Sequence, residues 1–159
     1  MDVDVEQIVR TYLKDVIVLS LATSRDNQPW VCEVIFAYDD ELNLYFRSLT
    51  RRRHSQEIAA NPNVAGIIAR PFRYGEYPHG VYFEGTAKLL ELGKGQEKAF
   101  RVMQDRLHLP DQILTEAQDP NGNQFYKITV REWRVFIKAN EDNSHGETYT
   151  LPWGEAVHA

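Results

Sequence analysis

The chain has 159 residues, 43% of them hydrophobic and 26% charged, a balance that suits one globular domain and excludes an intrinsically disordered chain. Eighteen basic against 23 acidic residues leave a net charge of −5, which argues against a general nucleic-acid or membrane-surface binder. A single cysteine, Cys32, excludes an internal disulfide and fits a reducing cytoplasm.

The opening MDVDVEQIVRTYL is acidic and amphipathic, without the basic start and apolar run of a signal peptide, so a cytoplasmic location is expected. Val3, Val5, Ile8, Val9, Tyr12 and Leu13 recur at helical spacing and predict a helix over residues 4–14. The longest apolar run, residues 16–22, is too short to cross a bilayer and begins a strand, VIVLSLAT. SRDNQP is turn chemistry, WVCEVIFAY a second strand, and DDE a tight connection into LNLYFRS, giving an antiparallel meander over 16–48. These strands are apolar on both faces. A closed barrel covers the inner face, and helices or a second subunit must cover the outer one, so a dimer is expected.

A short helix over about 51–61 follows, anchored chiefly by Ile58 with Ala59 and Ala60, and NP ends it before the strand NVAGIIAR. The loop PFRYGEYPHG leads into a long strand in which Val81, Phe83, Ala87 and Leu89 alternate with Tyr82, Glu84, Thr86 and Lys88. Residues 94–107 carry Ala99, Phe100, Val102, Met103 and Leu107 at helical spacing, and PDQILTEA predicts a further short helix with Pro110 at its first position. The last strand, about 124–138, changes its alternation near Arg131 and Glu132, which predicts a bulge. In the polar tail, Tyr149, Leu151 and Trp153 are expected to dock on the body. The sum is a mainly β protein, a six-stranded antiparallel Greek-key barrel with inserted helices, forming one domain over 1–159.

The stretch LTRRRHSQEI places Arg51, Arg52, Arg53 and His54 in or just before the first turn of a helix, where the backbone dipole is already positive. Each cation there costs roughly 0.3–1 kcal/mol. A phosphate would offset that cost, taking backbone N–H bonds and charge-assisted bonds from arginine, with Ser48 and Thr50 as hydroxyl donors or an N-cap. The alternative for one arginine is a solvated ion pair between Arg53 and Glu57, four residues apart.

Other chemistry is thinly signalled. The five histidines are dispersed, so no metal site is expected. Cys32, mid-strand, reads as a buried thiol unless its side chain faces a cofactor cleft. RYGEYPHG is either a flap, with His79 or Tyr77 as proton donor, or an ordinary connection. Trp30, Trp133 and Trp153 read as core or interface residues.

The first half of the chain resembles the FMN-binding split-barrel proteins related to pyridoxamine 5'-phosphate oxidase. The LAT strand, the PWV that opens the next, the acidic hairpin, LYFRS, the basic helix start, NP and the EGTA of VYFEGTAKLL occur in that family's order. The resemblance implies a homodimer with one FMN per subunit at the interface. It places Ser48, Arg52, Arg53 and His54 around the phosphate, with Arg51 beside them, and the backbone of Val31, Cys32, Glu33 and Val34 along the flavin ring. His79 and Tyr82, on either side of Gly80, complete the candidate cofactor set. The departures are specific: His54 stands where lysine is usual, Cys32 where the true oxidases have a phosphate-binding arginine, and Gly80 where they have a flavin-contacting glutamine. ETYTLPWGEAVHA also lacks their C-terminal arginine and histidine signature. Genuine pyridoxamine phosphate oxidation is therefore not expected. The leading expectation is an FMN-dependent oxidoreductase of unknown small-molecule substrate. Its competitors are a protein that holds FMN, deazaflavin or haem without turnover, and a flavin-free dimer that contacts nucleic acid through its arginines.

Overall fold

The computed structural model describes residues 2–138 and 145–154; the rest of the polar tail, His158 included, lies outside the described residues. In chain order the elements are α1 (Val5–Asp15), β1 (Val18–Arg25), β2 (Gln28–Tyr38), β3 (Leu44–Leu49), α2 (Arg53–Ala60), β4 (Asn63–Ile68), β5 (Gly80–Leu89), α3 (Lys94–Leu107), α4 (Gln112–Glu116), β6 (Asn123–Ile137) and β7 (Glu147–Pro152). The strands pair in the order β3-β2-β1-β4-β5-β6-β7, all antiparallel, and β3 pairs with β6 as well, so β1–β6 close on themselves. This is the expected six-stranded barrel. The seventh strand is new: Tyr149 and Leu151 do pack on the body, but as part of a strand opposite Val135 and Trp133.

The long β6 serves two neighbours in turn. Its first half pairs β3 from Asn123 to Ile128, and its second half pairs β7 from Glu132 to Ile137. Between them lies the predicted bulge, for β5 pairs Glu84 with Glu132 but Gly85 with Val130, leaving Arg131 unopposed. A Cβ on Gly85 would stand 2.2 Å from the Thr129 carbonyl oxygen, so no side chain fits opposite the bulge.

Inward residues of every barrel strand form the main core, among them Leu19, Leu21, Phe36, Phe46, Val81, Ile128 and Trp133. Asp4 caps α1, accepting from the Gln7 N–H at 3.0 Å. The helix turns Val5, Val9, Tyr12 and Leu13 into the barrel, burial that stabilises by on the order of 1.5–3 kcal/mol for each large apolar side chain. A second cluster explains part of the two-sided apolar pattern: Ala99, Phe100 and Met103 of α3 and Ala117 cover Ala37, Tyr45 and Phe125 from outside. The remaining outer face is uncovered, with Ile17 47%, Ile35 54% and Val31 60% exposed.

Three sequence expectations need correction. Ala59 and Ala60 are exposed, and α2 is anchored instead by Ser55, Glu57 and Ile58. The short helix starts at Gln112, two residues after Pro110, whose carbonyl accepts from the Ile113 N–H. Leu89, at the end of β5, faces solvent. Among the described residues no helix is long and apolar enough to cross a membrane.

Candidate functional site: an arginine cleft in the split of the barrel

β2 pairs β3 only where Phe36–Tyr38 meet Leu44–Phe46. Beyond that point the strands part: residues 28–35 stay with β1, whereas Arg47, Ser48 and Leu49 pair with β6 alone. Every second residue of this part of β2 therefore turns its backbone N–H and C=O toward a gap with no strand partner. The start of α2 adjoins that gap. The result is a cleft of about 540 Å3 lined by Trp30, Cys32, Glu33, Val34 and Ile35 of β2, Arg47, Ser48 and Leu49 of β3, Arg52, Arg53 and His54, and Asn123.

Arg53 is held from two sides. Its Nε donates to Glu57 Oε1 at 3.0 Å, and its guanidinium lies over the Trp30 ring, 4.3 Å from the centroid. The Glu57 carboxylate is buried and also accepts from the Thr23 hydroxyl at 2.5 Å. The Thr23 bond, followed by Arg53, holds the Glu57 carboxyl below its usual range against the opposing effect of burial. The i, i+4 pair anticipated from spacing exists, but its acid is buried rather than solvated.

The other cations are less satisfied. Arg52 occupies the N-cap position without a side-chain cap bond, and neither it nor Arg51 forms an ion pair among the described residues. Ser48 does not cap the helix; its hydroxyl oxygen lies 2.7 Å from His54 Nε2. Burial, then the nearby Arg52, push the His54 pKa down, with Glu57 opposing. Arg47 also lines the cleft, a role its sequence position hardly signals. Its Nε is buried without a hydrogen-bond partner among the described residues, its guanidinium lies 5.7 Å from the Phe125 centroid, and desolvation lowers its pKa. The only sequence signal was a cation within the apolar strand LYFRSL.

An orphaned arginine nitrogen, an uncapped helix start and a hydroxyl within one cleft fit a phosphate group. Of the sequence-predicted residues, Cys32, Glu33, Val34, Ser48, Arg52, Arg53 and His54 come together here. The Cys32 thiol is half-buried, and desolvation, then Glu57, push its pKa up, so it stays protonated and is a poor nucleophile. Arg51 is exposed outside the cleft lining, and Val31 points to the uncovered outer face. Tyr82 lines a depression with Gly66, Glu84 and Arg134, and His79 lines a separate pocket beside α1. One chain alone does not bring these two to the cleft.

The sequence model of pyridoxamine 5'-phosphate oxidase matches residues 5–136. The chain belongs to the pyridoxamine 5'-phosphate oxidase family. A UPF0306 protein of Photorhabdus laumondii is 31% identical over 86 residues, which cover 54% of this chain and 60% of that protein. Among solved structures, a haem-binding protein from Mycobacterium smegmatis superposes with a TM-score of 0.72 at 15% identity, covering 96% of this chain and 59% of that one. A Listeria innocua protein named for pyridoxamine 5'-phosphate oxidase gives a TM-score of 0.62 at 20% identity, covering 83% and 98%. These likenesses place the fold among the family's split barrels. The chain spans about 60% of the length of two of these three proteins.

Proposed function

We propose that this member of the family is an FMN-dependent oxidoreductase that anchors the flavin phosphate in the arginine cleft and completes its flavin pocket with a second copy of itself. The observation that carries the reading is the convergence of Arg47, Arg52, Arg53, His54 and Ser48 on a gap edged by unpaired β2 backbone. Bound there, FMN would supply hydride or electron transfer to a small-molecule substrate. The chain's own contribution is positional. Arg53, fixed by Glu57 and Trp30, and the uncapped first turn of α2 hold the phosphate, and free β2 N–H groups hold the polar edge of the ring. The uncovered apolar face around Ile17, Val31 and Ile35 supports a homodimer in which Tyr82 and His79 reach the partner's flavin. Cys32 cannot replace an arginine as an anion ligand, which supports a substrate other than pyridoxamine phosphate. The single cysteine suits work in the cytoplasm.

The test is a titration of the purified chain with FMN and with riboflavin, followed by flavin fluorescence. FMN should bind far more tightly than riboflavin, and the Arg53→Ala/His54→Ala double variant should bring the two together. Equal affinity of wild type and double variant for FMN would remove the anchor. Parallel titrations with haem and with deazaflavin decide between cofactors: tight saturable binding of either in place of FMN would keep the fold and replace the chemistry.

A further inference from the structure

A second pocket lies away from the arginine cleft, between α1, the segment that follows β4, and the end of β6. Its volume is about 480 Å3, within the range of small-molecule sites. Ile8, Tyr12, Tyr77 and Ile137 give it apolar and aromatic walls, and none of its lining residues is acidic. Those walls are fixed. Tyr12 is almost fully buried and its hydroxyl bonds His79 Nδ1, while Tyr77 stacks on Phe136 at 6.2 Å between centroids. Gly146 lets Tyr77 sit close, since a Cβ there would meet the Tyr77 hydroxyl at 2.3 Å.

Gln7 and Thr11 also line the pocket, the Gln7 amide donating to the Thr11 hydroxyl at 3.4 Å, and the charged groups among the lining residues are cationic. Arg70 lies over the Tyr12 ring, 4.4 Å from its centroid, and its Nη2 bonds the Asp15 carboxylate at 2.7 Å and the Thr11 carbonyl at 3.3 Å. Its Nε is buried and has no acceptor among the described residues. Lys138 stands 5.8 Å from the Tyr77 ring centre and has no acidic partner among the described residues. The Tyr12 hydroxyl and His79 Nδ1 share a hydrogen bond, and His79 Nε2 makes none among the described residues. Among the described residues Asp15 is the one acid engaged with these groups, and it pairs with Arg70.

We propose that this pocket is a second ligand site, selective for a planar aromatic carboxylate whose ring lies between Tyr12 and Tyr77 and whose charge meets Lys138 and Arg70. An apolar slot alone would take neutral and anionic rings alike. The buried Arg70 Nε and the Lys138 ammonium, both without an acidic or acceptor partner among the described residues, are what select the anion. The site shares no lining residue with the arginine cleft; His79 alone belongs to both readings, and the probe's ring and charge are met by Tyr12, Tyr77, Lys138 and Arg70 without it.

The experiment uses 2-naphthoate as probe and 2-naphthamide as its neutral control on the nitrogen-15-labelled full chain, with amide shifts followed by NMR. Saturable shifts at Thr11, Tyr77 and Lys138 are expected for naphthoate, with naphthamide at least about tenfold weaker. Lys138→Gln, an exposed substitution that leaves the Arg70 bonds intact, should weaken naphthoate about tenfold and leave naphthamide unchanged. Arg53→Ala should change neither. Equal binding of the two probes, shifts centred on Ser48 and Arg53, or no saturation in the tens of millimolar would overturn the assignment. FMN titration of the Lys138→Gln variant, a residue outside the cleft, reads the two sites apart.

Discussion

Ser48 Oγ stands 2.7 Å from Nε2 of His54, and this contact, in place of a side-chain cap, ties β3 to the first turn of α2. Where the family usually has a lysine, this chain has an imidazole. Burial and Arg52 lower its pKa, so His54 is neutral at pH 7 in the free protein. A bound phosphate stabilises the imidazolium and reverses that shift. FMN affinity should therefore gain a contribution from His54 as pH falls from 8 toward 5.5, by about tenfold if a neutral bond becomes charge-assisted. The phosphate itself takes up a proton near pH 6, which works in the opposite direction. His54→Lys isolates the histidine: it keeps the phosphate titration and loses the other. Parallel affinity profiles for wild type and His54→Lys would rule out the gain.

Glu57 links the interior to the cleft, accepting from Thr23 of β1 and from Arg53. Removing its charge while keeping its shape, Glu57→Gln, should destabilise the fold by about 1.5–3 kcal/mol at neutral pH, the range for hydrogen bonds to a charged group. The carboxyl pKa is lowered in the folded state. Its contribution is thus complete above the unfolded value of roughly 4.3 and is lost as pH falls through the folded one. Urea midpoints measured from pH 7 to 2.5 should fall less steeply below pH 4.5 for Glu57→Gln than for wild type. An unchanged acid limb would mean that the carboxylate is not ionised in the fold.

Arg106 is the clearest case of a tertiary role invisible in the sequence. In the last turn of α3 it reads as a dipole-complementing surface cation. In the structure its guanidinium reaches α1, donating to the Leu13 carbonyl and, at 2.7 Å, to the Val16 carbonyl. It lies 4.9 Å from the Tyr38 ring centre and 5.5 Å from that of Phe36. Arg106→Met keeps the stem and removes the donors. It should cost about 2–3 kcal/mol by leaving two part-buried carbonyls unpaired, read from denaturant unfolding at constant m-value. A loss within about 0.5 kcal/mol would mean that water satisfies them.

The same contrast runs through the rest of the molecule. Hydrophobic periodicity located α1, α3 and the barrel strands, and the break in alternation at Arg131 located the bulge, because these are local consequences of one buried face. β7 was not legible as a strand: Tyr149 and Leu151 alternate with polar residues over only a few positions, and their pairing depends on the second half of β6 being free. The cationic turn announced the cleft, and the acidic i, i+4 partner of Arg53 was evident from spacing. Neither the burial of Glu57 nor the orphaned Nε of Arg47 could be read, since both follow from which strands part company at the split.

Ile17 lies on the uncovered outer face, 47% exposed, and does not line the arginine cleft. Placing a carboxylate there leaves the phosphate anchor untouched and the core intact, so monomer stability should change by less than about 0.5 kcal/mol. If a second copy covers this face, Ile17→Glu buries an unpaired charge in the interface and should convert a dimer to a monomer by light scattering. The flavin pocket completed by that copy would open at the same time. FMN affinity should then fall at least tenfold while the FMN-over-riboflavin preference, set within one chain by Arg53 and its neighbours, persists. A wild-type monomer would place no partner on this face, and a monomeric variant that binds FMN as tightly as wild type would confine the whole flavin site to one chain.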